Sequence, residues 1–368
     1  MKKVIILGAG VTGCVIAKEL SQKGYEVILL EKNTYLGGGC HTFFKGGHPY
    51  TEGPRPLSIV NEKIFDYINA YVPLRRFKLY VDTYVEQDRS FYSFPIHWDD
   101  IQVMPDREKI KAELNNCPRV NNATNFEDGW LNAVGPTLYK KYVKTYTEKM
   151  WKVESNKVFE DYTWSLKGSP IQYSDRAALE KGEEMFAYPI EESGYNIFFE
   201  RCVENAEVRL NTEVKKVDLE HKRVYLEHEV LSADIIISTI ALDDLMENMY
   251  GSLKYMGREF YPIVLPVEHI FKDGHHFMSY PNDEKYTRIV EYKNLTNHKA
   301  PDTLIVMEIP SMNGKLYVYN NVLEERQKAE RYKNALPRNV YSIGRLGSYE
   351  YLTIDDCIEK VWEFMKEF

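Results

Sequence analysis

The segment from Lys3 to Glu31 constrains the fold more than any other part of the chain. A β-branched run, Val4 to Leu7, leads into Gly8-Ala9-Gly10-Val11-Thr12-Gly13. Val15, Ile16, Ala17 and Leu20 then recur at helical spacing, and a second apolar run, Val27 to Leu30, ends in Glu31. Strand, glycine turn, helix, strand and acid in that order predict a parallel βαβ unit that binds a dinucleotide. Gly8 permits the tight turn, Gly10 lets backbone approach a pyrophosphate, and Gly13 lets the helix lie close to the strand. The helix N-terminus stabilises phosphate, and Glu31, 23 residues after Gly8, can accept from ribose hydroxyls.

NAD and FAD share this fingerprint. The run Leu36-Gly37-Gly38-Gly39 favours FAD, because a second glycine turn lets backbone lie against a longer, buried pyrophosphate and ribityl chain. A late strand followed by Gly344-Arg345 would bring a cation to the same pyrophosphate, although Arg345 could equally form a surface ion pair.

Composition narrows the class of partner. The 368 residues carry a net charge of −8 with 44% apolar content, which suits a soluble chain of about two to three domains. An acidic sum argues against general affinity for nucleic acid or anionic membrane. It is compatible with a soluble homodimer. The opening MKKVIILGAG is too short an apolar run for a signal peptide, and no stretch approaches the roughly 20 apolar residues needed to span a bilayer. Five cysteines without a CxxC pair predict no disulfide framework, so the expected compartment is the cytoplasm. The nine histidines lack metal-ligand spacing, and His275-His276, after Asp273-Gly274, read as a solvated turn. Tyrosine is the uneven number: 28, against 16 Phe and 5 Trp. Its ring and hydroxyl suit a site that holds something flat or polyanionic.

Along the chain, Leu138, Tyr142, Tyr146 and Met150 recur every four residues within a helical stretch, and Tyr92 to Ile96 reads as an edge strand or loop. Glu207–Leu210, Val214–Val217 and Val224–Leu226 alternate like hairpin strands, Ile235–Ile237 reads as a buried parallel strand, and 255–320 as an antiparallel sheet. The predicted class is α/β: a Rossmann-like FAD-binding domain (1–60, 190–250, 335–368) interleaved with a helical substrate-side domain (100–165) and an antiparallel β-sheet domain (61–99, 166–189, 251–334).

Several segments together resemble the flavin-dependent UDP-galactopyranose mutases. They are Gly8-Ala9-Gly10 with Glu31 and Gly37-Gly38, Tyr146-Thr147-Glu148-Lys149-Met150-Trp151, Tyr286-Thr287-Arg288-Ile289-Val290-Glu291, Tyr317, and Gly344-Arg345-Leu346-Gly347-Ser348-Tyr349-Glu350-Tyr351-Leu352. The resemblance implies a non-redox isomerisation of a nucleotide sugar between pyranose and furanose forms, supplying furanose donors for surface polysaccharide. Reduced FAD would attack the anomeric carbon through N5 and displace the nucleoside diphosphate. Arg288, Tyr317 and Tyr351 match the catalytic positions that clamp the diphosphate. Tyr146, Thr147 and Trp151 match substrate-side positions. Cofactor-side positions carry over to Gly8, Gly10, Gly13, Glu31, Gly38, Arg55, Val214, Arg345, Leu352 and Thr353. Each also has a plainer reading: Trp151 as core, Tyr317 and Tyr351 as packing, Arg288 as a cross-strand ion pair.

The chain departs from the family at four places. A Gly-x-His-x-x-His run beside the flavin is replaced by Gly53-Pro54-Arg55-Pro56-Leu57-Ser58, which puts a fixed cation where reduced flavin would be anionic. Two arginines expected beyond Trp151 fall at Ser165 and Ser169, with Arg176 the nearby candidate, and an expected Asp is Thr353. These changes point toward a different nucleotide sugar. Glu52-Gly53-Pro54-Arg55 also resembles protoporphyrinogen oxidase-like flavoproteins, so an amine-oxidase-like FAD oxidoreductase is the alternative, and a non-catalytic FAD-binding protein a third reading.

Overall fold

In the computed structural model, which describes residues 1–118, 123–160, 170–173, 176, 185–272 and 274–368, five parallel strands run in the order Glu207–Arg209, Glu26–Leu30, Lys3–Leu7, Ile235–Ser238 and Val340–Ser342. The central strands are apolar throughout because both faces are covered. On one face Val4, Ile6, Val27 and Leu29 meet Val15, Ile16 and Leu20 of the helix Val11–Gln22, with Phe198 and Phe199 of Asn196–Val203 and Ile358 and Val361 of Ile354–Phe364. On the other, Ile5, Leu7, Ile28 and Leu30 meet Val224 and Leu231 of an antiparallel layer, Lys216–Asp218, Arg223–Tyr225 and Val230–Ser232. The Rossmann-like α/β class expected from the sequence is thus present.

The hairpin reading of 207–226 needs correction. Glu207 pairs with Ile28 and Arg209 with Leu30 as a parallel edge, and only residues from Lys216 onward form antiparallel strands. The connecting loop explains the change: Asn211 N–H donates to the Asn33 carbonyl and Thr212 N–H to that of Glu31, both at 2.8 Å, so this segment continues the edge of the nucleotide-binding sheet. Val214 lies in that loop.

Gly13 shows how tightly the first unit is packed. A Cβ there would stand 2.0 Å from the Gly8 carbonyl oxygen, so Gly13→Ala must push the helix off its strand. Overpacking of this kind costs about 1–3 kcal/mol. The variant is expected to melt lower and to purify with little flavin, as read by thermal denaturation and visible absorbance. An unchanged melting temperature with full flavin content would contradict this packing.

A seven-stranded sheet runs Tyr317–Val318, Tyr255–Leu265, Thr303–Ser311, Arg288–Glu291, His275–Ser279, Tyr80–Val85, Ser90–Phe94. It is antiparallel except where Tyr80–Val85 runs beside His275–Ser279. Ser90–Phe94 is its edge, as the pattern around Tyr92 suggests. His276 is not solvated as expected. The strand begins at His275, which turns the His276 ring inward to lie 4.8 Å from Phe77. It is 3% exposed, its Nδ1 accepts from the Tyr80 N–H, and burial lowers its pKa to about 4.

Four helices, Trp98–Val103, Arg107–Asn116, Phe126–Tyr139 and Thr145–Trp151, pack over one end of this sheet, the last two joined by a π turn, Lys140–Lys144. Leu138, Tyr142 and Met150 are buried and Tyr146 half-buried, as the four-residue recurrence implies. Within Phe126–Tyr139 the chain kinks at Gly135, and Pro136 restarts the helix. Lys141 in the π turn bonds Asp106 at 2.6 Å and Asp88 at 2.5 Å. Asp88 lies between the last two strands of the sheet, so this buried ion pair fixes the helices to it. No helix among the described residues is long and apolar enough to cross a membrane.

Candidate functional site

The two glycine turns predicted from the sequence lie against each other. Gly37 N–H donates to the Ala9 carbonyl at 2.7 Å, and a Cβ on Gly38 would stand 3.4 Å from the Gly10 Cα. Gly10 caps the helix Val11–Gln22, and no atom lies within 4 Å of where its Cβ would be. The helix N-terminus therefore opens onto a cradle with the space and the dipole for a diphosphate. Glu31 is buried at the end of its strand, where its carboxylate accepts from the Ala9 N–H (2.8 Å) and the Asn33 N–H (2.9 Å). A carboxylate offers about four acceptor positions, so two remain for ribose hydroxyls. These residues fit FAD.

Beyond the cradle, Arg345 Nε donates to the Leu352 carbonyl at 2.9 Å, and the guanidinium lies 5.3 Å from the ring centre of Tyr351 and 5.6 Å from that of Tyr317. Thr353 caps the helix Ile354–Phe364: its N–H donates to Asp356 at 2.8 Å and its hydroxyl accepts from the Asp356 N–H. A local capping role therefore explains a threonine at this position.

The seven-stranded sheet brings a second group of residues to one face. Arg288 sits opposite Glu308, Glu308 opposite Phe260, and Arg258 lies two residues from Phe260. Met256, two further along, is opposite Tyr317. With a period of two, Arg288, Glu308, Arg258 and Tyr317 share that face. Arg288 Nη2 donates to Glu308 Oε2 at 2.7 Å, and Arg258 Nη1 donates to the same oxygen. The Glu308 side chain is fully buried, that of Arg258 nearly so, and that of Arg288 15% exposed. Burial alone would push the Glu308 carboxyl up, but Arg288 and Arg258 hold it below the usual carboxylate range. Arg258 Nε, Arg288 Nε and Glu308 Oε1 have no hydrogen-bond partner among the described residues, which leaves the cluster with unspent donors.

Tyr317 is where the elements meet. Its ring stacks on Tyr351 at 5.9 Å, meets the edge of Trp151 at 6.4 Å, and lies 5.3 Å from the Arg258 guanidinium. Burial would raise the phenol, yet Arg258, Arg55 and Arg288 outweigh it and draw the pKa down to about 8. Below that value the phenol can donate to a phosphate oxygen; above it, phenolate repels one. Spectrophotometric titration of the flavin-free protein is expected to show one tyrosine ionising near pH 8. Saturating UDP should move that midpoint upward, because an anion favours the protonated form. A midpoint that UDP leaves in place would separate Tyr317 from the anion site.

Tyr146 and Met150 face the arginines from the helical side. Thr147 is buried one turn before Trp151. Trp151 packs edge-on to Tyr319 at 5.0 Å and near Phe159 at 5.9 Å, so it is core as well as a wall beside Tyr317. Arg176 is bound elsewhere, to Ser93 Oγ and Asp100, each at 2.6 Å. Ser165 and Ser169 lie outside the described residues. The cross-strand ion pair foreseen as the plainer reading of Arg288 exists, with Glu308 as its partner. Sequence reading missed Arg258 and Glu308. The signal was there: Glu308 is the one charge within the apolar strand Thr303–Ser311, and such a group needs a cationic partner.

A family model for UDP-galactopyranose mutase matches residues 141–351 and one for an NAD(P)-binding Rossmann-like domain matches residues 6–71. The chain belongs to the UDP-galactopyranose mutase family. That membership makes it an enzyme of the isomerase class, implies FAD as cofactor, and implies a nucleotide sugar as substrate. It is 24% identical to the "Probable UDP-galactopyranose mutase" of Klebsiella pneumoniae over all of this chain and 94% of that protein. It is 23% identical to the dTDP-fucopyranose mutase of Escherichia coli over 99% of this chain and 97% of the relative. A crystal structure of reduced UDP-galactopyranose mutase superposes with a TM-score of 0.80 at 17% identity, covering all of this chain and 96% of the other, which shows the shared fold of the mutase family.

Proposed function

We propose that the protein interconverts the pyranose and furanose forms of a nucleotide sugar, using reduced FAD, and that it acts in the cytoplasm to supply furanose donors for surface polysaccharide. The observation that supports this reading is a glycine cradle adjoining a buried arginine cluster. The glycine cradle accounts for one diphosphate, and the Arg258–Glu308–Arg288 cluster, with unspent donors beside Tyr317, has the charge for a second. A flavin oxidase acting on amines has no use for that second site, so the oxidoreductase alternative is the weaker one.

Reduced FAD, when bound, supplies the nucleophile for the anomeric carbon. The protein's task is then to hold the leaving diphosphate while the sugar ring opens and recloses, and to return it. Arg288 and Arg258 are preorganised for this, because Glu308 fixes both guanidinium groups before substrate arrives. Tyr317 and Tyr351 supply hydroxyls to phosphate oxygens. Trp151, Tyr146 and Thr147 close the helical side and exclude water. Glycine cradle, cluster and helical wall come from interleaved domains, so the site forms only when the whole chain has folded.

Thr353, Arg55 and the serines at 165 and 169 depart from the family pattern, and one full-length relative is named for dTDP-fucopyranose. The substrate is accordingly a nucleotide sugar other than UDP-galactose, with deoxy, amino, pentose or other hexose derivatives as candidates. Purified protein should be incubated anaerobically with a panel of UDP- and dTDP-sugars, with and without dithionite, and the products separated. Conversion to an isomer of unchanged mass, only under reduction, is expected. No isomer from any sugar under reduction would overturn the reading.

A further inference from the structure

Arg55 stands between the two anion sites. Its Nε donates to the carbonyl of Gly39, the last residue of the second glycine turn, at 3.0 Å, and its Nη2 to the carbonyl of Glu52 at 2.6 Å. On its other side, a Cβ on Gly53 would lie 3.5 Å from Arg55 Nη2 and 3.8 Å from Arg288 Nη2, so the two guanidinium groups flank one backbone position. The order along the site is therefore Glu31, then Gly10 with Gly38, then Gly39 with Arg55, then Arg288 with Glu308 and Tyr317. A dinucleotide held with its adenosine at Glu31 and its pyrophosphate at Gly10 would bring its far end, the isoalloxazine, toward the stretch that Arg55 occupies.

The pairing of Arg55 differs from that of its neighbours. Arg258 and Arg288 share Glu308, whereas Arg55 bonds only backbone carbonyls and makes no ion pair with a carboxylate among the described residues. Carbonyls orient a guanidinium without cancelling its charge. The facing groups are Cys40, Tyr292, Tyr317 and Glu308. Glu52 sits nearby with its carboxyl pushed up by burial against the pull of Arg55, but Arg55 bonds its backbone carbonyl and not its carboxylate. A half-buried, oriented cation is thus left without a carboxylate in direct contact, so its charge is available to a bound anion.

We propose that Arg55 is the counter-ion of the reduced flavin and sets its reduction potential in this chain. Two electrons from dithionite or an electrode, with one proton taken at N5, would convert neutral oxidised isoalloxazine into an anion whose charge lies toward N1, and the guanidinium would stabilise that product more than the oxidised ring. By linkage, tighter binding of the reduced form is a higher potential: a tenfold preference is about 30 mV for a two-electron couple. The proposal rests on the FAD part of the reading above and is independent of the sugar chemistry.

The test is the midpoint potential of the bound flavin at pH 7 without substrate, measured spectroelectrochemically with flavin content checked by absorbance. Arg55→Met is expected to lose at least tenfold of the preference for the reduced form, a fall of about 30 mV or more, while Arg55→Lys keeps most of it. If Arg55→Met fails to retain FAD, Arg55→Gln, which keeps a donor toward Gly39, replaces it in the comparison. Equal potentials in the parent and the uncharged variant would overturn the proposal. So would equal falls in the Lys and Met variants, which would mark Arg55 as a brace for the Gly39 turn. Mutase activity enters none of these readings, so a failure of the proposed reaction would leave them standing.

Discussion

Arg288→Ala is expected to lower kcat/KM for the isomerisation by about 10²–10³-fold, the loss seen when one preorganised donor is removed from developing negative charge. Arg288 meets Glu308 across the ladder and keeps its Nε unspent, a donor that the proposed reaction would use on the diphosphate. The fold should survive, because Glu308 retains Arg258. The variant should therefore stay yellow, with flavin absorbance close to the parent. Arg288→Lys should recover part of the rate through its charge but not the guanidinium fork. A variant that bleaches on purification would instead assign Arg288 to cofactor binding or folding.

Glu308→Gln should have the largest effect on stability. Glu308 is fully buried and holds two arginines through one oxygen. Removing its charge leaves Arg258 and Arg288 repelling each other with little solvent, and breaking a buried pair of this kind costs about 3–5 kcal/mol. The melting temperature should drop markedly. It should then rise more on adding UDP than the parent's does, because a diphosphate can take over the role of the missing carboxylate. A variant as stable as the parent, with no extra response to UDP, would show that Glu308 does not balance the cluster.

The first glycine turn, its helix and the acid that follows were legible in the sequence, and for a physical reason. The positions of Gly8, Gly10, Gly13 and Glu31 are fixed by local geometry, a turn and the helix that follows it, so their spacing carries the information. The arginine cluster depends on strand register. Arg258, Arg288 and Glu308 are separated by tens of residues and meet only because three strands pair in one alignment. Arg288 was reached through the resemblance, while Arg258 and Glu308 fall outside the segments that carry it. The same reason lies behind the reassignment of Glu207–Arg209, whose three residues are too few for a period to tell a parallel edge from a hairpin. The tyrosine excess divides in two. Tyr188, Tyr195, Tyr292, Tyr332 and Tyr349 are among the largest fully buried side chains, and several tie segments together, as where Tyr195 donates to the Arg55 carbonyl at 3.0 Å. Tyr317 and Tyr351 stack on each other beside the Arg345 guanidinium.

The central claim is that the reaction rearranges a sugar without net electron transfer. The most direct measurement follows isomer formation, flavin oxidation state and dissolved oxygen together, in one sample of reduced holoprotein turning over an accepted nucleotide sugar. The account predicts many equivalents of furanose per enzyme with the flavin still reduced and no oxygen consumed in proportion to product. Oxygen uptake or flavin oxidation matching product one for one would contradict it and would make the protein an oxidoreductase.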